Sequence, residues 1–147
     1  MEGKVALDVD KKRKLRHAIE IRHESFMDEA FIALLRKYKV AVVVADTAGK
    51  WPYIEDVTAD FMYLRLHGDK ELYASGYTDE ALDRWAARIQ AWSEGSQPAD
   101  AHVVSSKVPP ARKSRDIFSY FDNDIKVRAP CDARKLMEKL GTVPPAL

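Results

Sequence analysis

The sequence predicts an α/β fold in which parallel strands curl into part of a (β/α) barrel. Strand-like and helix-like segments alternate along the chain, and parallel strands need such crossover connections. Two of the predicted strands also carry charged residues on one face, and charges are costly to bury unless they are paired. Near the C-terminal mouth of a barrel, interior charges can be both paired and used, so the pattern favours a barrel over an open sheet.

Four segments have the composition of strands, because β-branched or aromatic residues dominate each short run. In chain order they are residues 17–22 (HAIEIR), 40–45 (VAVVVA), 61–67 (FMYLRLH) and 117–122 (IFSYFD). The second run is continuously apolar, as expected of a parallel strand that is covered on both faces. We therefore predict about four parallel strands with flanking helices.

The first and third strands have two chemically different faces, because successive side chains of a strand point in opposite directions. The residues predicted to face the barrel interior are Glu20, Arg22, Tyr63, Arg65 and His67. The residues predicted to pack on helices are Ile19, Ile21, Met62, Leu64 and Leu66. The alternation therefore separates an apolar outer face from a polar inner one.

Three segments have helical spacing together with suitable start and stop residues. Ser25 is predicted to cap the first helix, and Thr78 to cap the second, which Gly95 follows. The third is predicted to begin at Asp132 and to stop at Gly141. The apolar stripe of the first helix is predicted to be Met27, Ala30, Phe31, Leu34, Leu35 and Tyr38.

The stretch 47–60 contains Gly49 and Pro52 and has no clear helical stripe, so it predicts a loop between the second and third strands. Residues 1–16 form a basic N-terminal segment, residues 17–141 the partial barrel and residues 142–147 a C-terminal tail. Within the barrel, residues 96–115 contain proline, serine and basic residues, which predicts a flexible insertion before the last strand.

The composition of the chain limits the classes of protein to which it can belong. The 147 residues, 46% apolar and 32% charged, suit one globular domain. The formal net charge of +1 lacks the basic excess of a dedicated nucleic-acid binder. The single cysteine, Cys131, cannot form an internal disulfide, and no apolar run is long enough to span a membrane. We expect a cytoplasmic protein that does not enter a membrane.

Several motifs resemble those of the YecE-like family known as domain of unknown function 72. They are residues 17–26 (HAIEIRHESF), 44–49 (VADTAG), 51–52 (WP), 58–68 (TADFMYLRLHG), 72–77 (LYASGY) and 120–124 (YFDND). The resemblance extends over residues 16–141. It implies a TIM-like (β/α) barrel of about 250 residues, of which these motifs form the C-terminal half.

A half-barrel has unpaired strand edges and an apolar inner face, both of which invite association. We therefore expect a homodimer, or another chain that supplies the missing half of the barrel. A truncated remnant of a longer barrel is a further alternative.

The main candidate site consists of charged side chains at neighbouring strand ends. Glu20 and His67 are the candidate acid and base groups, and Arg22 and Arg65 are candidate contacts to an anionic substrate. The competing interpretation is an arginine–carboxylate network that only satisfies charges inside the barrel.

Further candidates come from the loops. The resemblance places the segment 68–77 after one of the last two barrel strands, where such barrels often bind phosphate, so Tyr73 and Tyr77 are candidate ligand contacts. Asp122 and Asn123 end the last strand and offer oxygen atoms to a ligand. No compact metal-ligand spacing is present, so no cofactor is predicted, although a divalent metal remains compatible with these oxygens.

Two functions follow from these candidates. The first is an enzyme that acts on a phosphorylated or otherwise anionic small molecule or nucleotide at the barrel mouth. The alternative is a non-catalytic module that binds nucleic acid or a partner protein, with the basic residues of 96–115 as the nucleic-acid contact.

Overall fold

The computed structural model describes residues 11–68, 76–123 and 127–142. Its four parallel strands form one sheet in chain order: β1 (Ala18–Ile19), β2 (Ala41–Asp46), β3 (Phe61–Leu66) and β4 (Asp116–Phe121). The helices are α1 (Glu29–Tyr38), α2 (Asp79–Ser93) and α3 (Arg128–Lys139), and a short 3-10 turn spans Glu24–Phe26. The predicted fold class is confirmed. β1 is much shorter than the predicted strand 17–22.

The period of two in β3 is confirmed. Met62, Leu64 and Leu66 are buried against the helices, whereas Tyr63 and Arg65 are only partly buried and line the concave side of the sheet. The helix side forms the larger core, where the buried residues of α2 are Ala81, Leu82, Trp85, Ile89 and Trp92. Burial of such side chains contributes roughly 1.5–3 kcal/mol each to folding.

The β2–β3 connection is a loop, as predicted, and it covers the sheet in place of a helix. Ile54 and Val57 are almost completely buried in it. Its Thr58 hydroxyl accepts a hydrogen bond from the Val42 amide and donates one to the Val40 carbonyl. This side chain therefore satisfies backbone groups beside β2.

The predicted start of α1 is wrong. Asp28, rather than Ser25, caps the helix by accepting hydrogen bonds from the amides of Ala30 and Phe31. Ser25 lies in the 3-10 turn, where its hydroxyl contacts His23. The predicted apolar stripe is wrong in part, because the buried residues of α1 are Ile32 and Leu35, whereas Leu34 and Tyr38 are exposed.

The predicted start of α3 is also wrong. The helix begins one turn earlier, at Arg128, and Pro130 occupies its first turn, where proline's missing N–H would have no helical partner anyway. Asp132 is therefore inside the helix and buried. Gly141 follows the helix with a positive φ, as expected of a stop residue.

The predicted ends of α2 are confirmed. The Thr78 hydroxyl accepts a hydrogen bond from the Ala81 amide, and Gly95 follows the helix with φ +84°. A Cβ atom at Gly95 would lie 1.9 Å from the Arg112 carbonyl oxygen. Glycine is therefore required both by the backbone conformation and by the close approach of another segment.

Buried acids of the 47–60 loop hold the segment 96–115. Asp56 accepts hydrogen bonds from the amides of Val104 and Ser105, and Glu55 accepts one from the His102 amide at 2.7 Å. At the start of α1, Glu29 accepts bonds from Ser106. These contacts favour an ordered arrangement, and the predicted flexibility of 96–115 stays a prediction. In the described part of the chain, no helix is both long and apolar enough to cross a membrane.

Candidate functional site

An ion network joins the carboxyl ends of three strands across the concave side of the sheet. The Arg65 Nη1 atom donates to Glu20 Oε2 at 2.5 Å, and its Nε atom donates to Asp122 Oδ2 at 2.8 Å. The Arg65 Nη2 atom contacts the same Asp122 oxygen. Because Glu20 follows β1 and Asp122 follows β4, Arg65 on β3 holds together side chains from both edges of the sheet.

Arg22 adds a second guanidinium to this network. Its Nε atom donates to Glu20 Oε1 at 2.9 Å, and the guanidinium carbon lies 4.3 Å from the ring centroid of Trp51. The side chain is 53% exposed, compared with 12% for Glu20. Arg22 is therefore the cation that faces solvent, and Trp51 fixes its orientation by a cation–π contact.

Two carboxylates and two guanidinium groups make this cluster close to neutral. Burial opposes the charge of Arg65, but the hydrogen bonds that it donates to Glu20 and Asp122 outweigh this effect and raise the pKa of the guanidinium. Arg65 therefore stays protonated, and its positive charge is already balanced by the two acids. The geometry suits Arg65 to orient Glu20 and Asp122.

His67 lies directly behind this network and is completely buried. Its Nδ1 atom is 3.6 Å from Asp122 Oδ2, and its ring packs edge-on against Trp51. Burial, followed by the positive charge of Arg65, lowers the pKa of the imidazole below its usual value, so the ring is neutral at pH 7. Burial argues against direct contact between His67 and a ligand, and its predicted catalytic role stays a prediction.

Tyr77 and Asn123 are brought to the same end of the sheet, but both are buried. The Tyr77 hydroxyl donates to Asp46 Oδ2 at 2.9 Å and accepts from the Gly68 amide. Asp132 accepts from the Tyr77 amide and from Asn123 Nδ2. These bonds connect the carboxyl ends of β2, β3 and β4 with one another and with α3. Tyr73, the other predicted tyrosine contact, lies outside the described residues.

A cavity of about 480 Å³ continues from the mouth along the concave face. Its lining includes the aromatic residues Phe61, Tyr63, Phe118 and Tyr120. The rings of Tyr63 and Tyr120 stack at a centroid distance of 5.0 Å. Arg16 closes the end near the strand starts, where its guanidinium lies 5.4 Å from the Phe61 ring centroid. The predicted interior face is thus polar at the mouth and aromatic below it.

Sequence reasoning did not predict the contacts that three residues of this region make. Trp51 makes a cation–π contact with Arg22, and Asp46 accepts a hydrogen bond from the Tyr77 hydroxyl. Asp132, inside α3, accepts hydrogen bonds from the Tyr77 amide and from Asn123 Nδ2. Asp46 is the last residue of the buried parallel strand β2, and that position was a usable signal. Among residues 11–68, 76–123 and 127–142, no group of three or more histidine, cysteine, aspartate or glutamate side chains is arranged to hold a metal ion.

Comparison with known proteins then identifies the family. Residues 5–146 match the family model described as "Protein of unknown function DUF72". The chain belongs to the DUF72 family. The resemblance to YecE-like proteins inferred from the motifs is thereby confirmed. A search of curated proteins gave no match to this DUF72 chain.

Crystal structures of other DUF72 proteins share the fold. A DUF72 family protein from Thermotoga maritima has a TM-score of 0.68 and 23% identity, and the match covers 86% of this chain and 46% of that one. Two structures of a DUF72 family protein from Enterococcus faecalis have TM-scores of 0.66 and 0.64 with 15% and 16% identity. They match 92% and 88% of this chain, which spans 52% and 50% of theirs. The chain thus spans about half the length of these structures.

Proposed function

We propose that the barrel mouth binds a small anionic molecule, such as a phosphate ester or nucleotide, and that Glu20 exchanges a proton with it. The observation that carries the proposal is the placement of Arg22, which is half-exposed, stacked on Trp51 and bonded to Glu20 through Nε. Among the described residues, its two terminal nitrogens make no hydrogen bond, so they are available to an anionic group.

The other predicted site residues support this pair. Arg65 and Asp122 hold Glu20 in one orientation, and the buried, neutral His67 packs behind Asp122 as a positioning residue. Tyr77 accepts a hydrogen bond from the Gly68 amide, and Asn123 donates one to the Asp132 side chain. An anion that approaches Arg22 would lie next to the Glu20 carboxylate, and a proton-transfer group must be within hydrogen-bond reach of its target.

The alternative of a nucleic-acid module has less support. It depends on the basic residues of 96–115, and Arg115 is buried, with its Nη1 atom donating to the carbonyls of Trp92 and Ser96. That arginine stabilises the C-terminal end of α2 and cannot contact a phosphate backbone in this arrangement.

Binding can be tested with inorganic phosphate and a nucleoside monophosphate as probes and indole fluorescence as the readout, because Trp51 lies in the proposed site. Arg22→Gln removes a charge-assisted contact of roughly 1.5–3 kcal/mol, so affinity should fall by about tenfold or more. Arg134→Gln, at an exposed arginine of α3, is the matched control and should bind normally. Equal affinity of the Arg22→Gln variant, or no binding of either probe, would overturn the proposal.

Proton transfer needs a separate experiment. A panel of phosphate monoesters serves as the substrate probe, and Glu20→Gln preserves the shape of the side chain while removing its basic oxygen. The variant should retain binding and lose turnover. If the wild-type chain binds these esters but turns over none of them, the mouth is a binding site only.

A further inference from the structure

We infer that Lys50 is a second cation of the proposed anion site, and that the site therefore takes a doubly charged phosphate monoester in preference to a singly charged anion. The inference rests on the proposed function and makes it more specific. Lys50 and Trp51 lie in the loop after β2, and the Lys50 Nζ atom is 5.0 Å from the ring centroid of Trp51. The Arg22 guanidinium carbon is 4.3 Å from the same centroid, so two cations lie around one indole ring at the mouth.

A tight turn at the end of β2 places Lys50 beside this ring. The Lys50 amide donates to the Thr47 carbonyl at 3.1 Å, and the Trp51 amide donates to the Thr47 hydroxyl, also at 3.1 Å. Thr47 is buried, whereas Lys50 is exposed. Ala48 and Gly49 have positive φ angles of +51° and +79°, a conformation that is strained for alanine. The bonds to Thr47 therefore hold the turn and fix the base of the Lys50 side chain.

The charge of Lys50 is not balanced by an acid of the described chain. Within residues 11–68, 76–123 and 127–142, its ammonium group makes no ion pair and no hydrogen bond. Asp46, four residues earlier, accepts a hydrogen bond from the Tyr77 hydroxyl instead. The four charged side chains of the ion network, in contrast, compensate one another. Lys50 therefore adds a surplus positive charge next to a cluster that is close to neutral by itself.

This surplus charge determines which anions the mouth attracts. Because Coulomb attraction scales with the product of the charges, a dianion gains about twice as much from Lys50 as a monoanion does. An anion beside Trp51 also relieves the repulsion between the two cations around its ring. Arg22 is held by Glu20 and supplies directed donors, whereas the flexible side chain of Lys50 lets its ammonium group follow the ligand. Two cations that face solvent thus suit the two charges of a phosphate monoester.

Methyl phosphate and dimethyl phosphate test the inference, because they differ in charge but little in size. At about pH 8 the monoester carries two negative charges, since its second pKa is near 6, whereas the diester carries one. Calorimetric titration of the wild-type chain should give a lower Kd for the monoester. Lys50→Gln should weaken monoester binding by roughly three- to tenfold and diester binding by less, so the preference should shrink. Lys50→Arg keeps the charge and should keep the preference.

Lys37→Gln is the matched control. Lys37 makes a similar contact at the end of α1, before β2 begins, with its Nζ atom 5.5 Å from the ring centroid of Tyr38. This variant should bind both esters as the wild type does.

The variants also separate a failure of the inference from a failure of the proposed function. If Arg22→Gln weakens binding but Lys50→Gln keeps the wild-type preference, or weakens both esters equally, the inference is overturned and the proposed site stands. If the wild-type chain binds neither ester, or if Arg22→Gln binds both normally, the proposed function fails and the inference fails with it.

Discussion

The side chains of Arg16 and Asp116 meet across the concave face of the sheet, with Arg16 Nη1 2.7 Å from Asp116 Oδ2. Arg16 precedes β1 and Asp116 begins β4, so this contact links the two outermost strands at their starts. Arg65 makes the corresponding link at the other end through Glu20 and Asp122. The sheet is therefore curled strongly enough that its edges are joined at both ends, as a segment of barrel wall requires.

The first prediction concerns the Arg65 link. Arg65→Gln leaves the carboxylates of Glu20 and Asp122 without their shared partner, and it should lower the free energy of unfolding by about 1–3 kcal/mol. Arg134→Gln is the matched control, because Arg134 pairs with Glu138 on the exposed face of α3. This substitution should lower the free energy of unfolding by less than about 0.5 kcal/mol. Urea denaturation measures both. Similar losses in the two variants would contradict a structural role for the Arg65 network.

The second prediction concerns pH. Burial lowers the pKa of His67 in the folded chain, so between that value and the usual value near 6.5 the unfolded chain binds more protons. Stability contributed by neutral His67 is present above about pH 6.5 and is lost as the pH falls towards the folded pKa. His67→Gln should reduce this loss, measured as the difference in unfolding free energy between neutral and mildly acidic buffer. His17→Gln, at an exposed histidine, should leave the loss unchanged.

The third prediction concerns the anchoring of residues 96–115. Asp56→Ala removes the acceptor for the Val104 and Ser105 amides, so the segment should become more accessible to trypsin at Lys107. Asp100→Ala is the control, since Asp100 is exposed and bonds only to Arg88 in the described chain. Rapid cleavage at Lys107 in the wild type as well would support the flexible insertion predicted from the sequence.

The fourth prediction concerns Gly95. Gly95→Ala and Gly141→Ala both place a Cβ atom at a positive φ, which costs roughly 1–2 kcal/mol. Only at Gly95 does the new atom also collide with a backbone carbonyl, that of Arg112, whereas nothing lies within 4 Å at Gly141. Thermal unfolding should therefore show a clearly larger loss for Gly95→Ala. Equal losses would mean that the Arg112 segment can move aside at little cost.

The sequence predicted the fold best where two independent signals agreed. In α2, the Thr78 cap and the spacing of Leu82, Trp85 and Ile89 indicate the same helix, and the structure has it. In β3, alternation alone separated Leu64 on the helix side from Arg65 on the concave side.

The prediction failed where the sequence offered competing signals. Ser25 and Asp28 are both good helix caps three residues apart, and only the packing of Ile32 and Leu35 on the sheet selects Asp28. At α3, Asp132 resembles a cap, yet Pro130 two residues earlier already suits a first helical turn.

The candidate site was predictable as a set of residues but not as a network. Alternation placed Glu20 and Arg65 on the inner face, but it could not reveal that Arg65 binds acids from both edges or that His67 is buried behind them. Those facts depend on sheet curvature and on the covering loop with Trp51, which involve distant parts of the chain.

The Arg65 link also has a thermodynamic consequence for ligands. An anion that displaces Glu20 from the Arg65 Nη1 atom removes the side-chain link between β3 and the chain that follows the edge strand β1. Anion binding at this atom and the curvature of the barrel wall are therefore coupled equilibria, and each must shift the other by the same factor. A more open sheet would hold such an anion more tightly, and a more closed one would expel it.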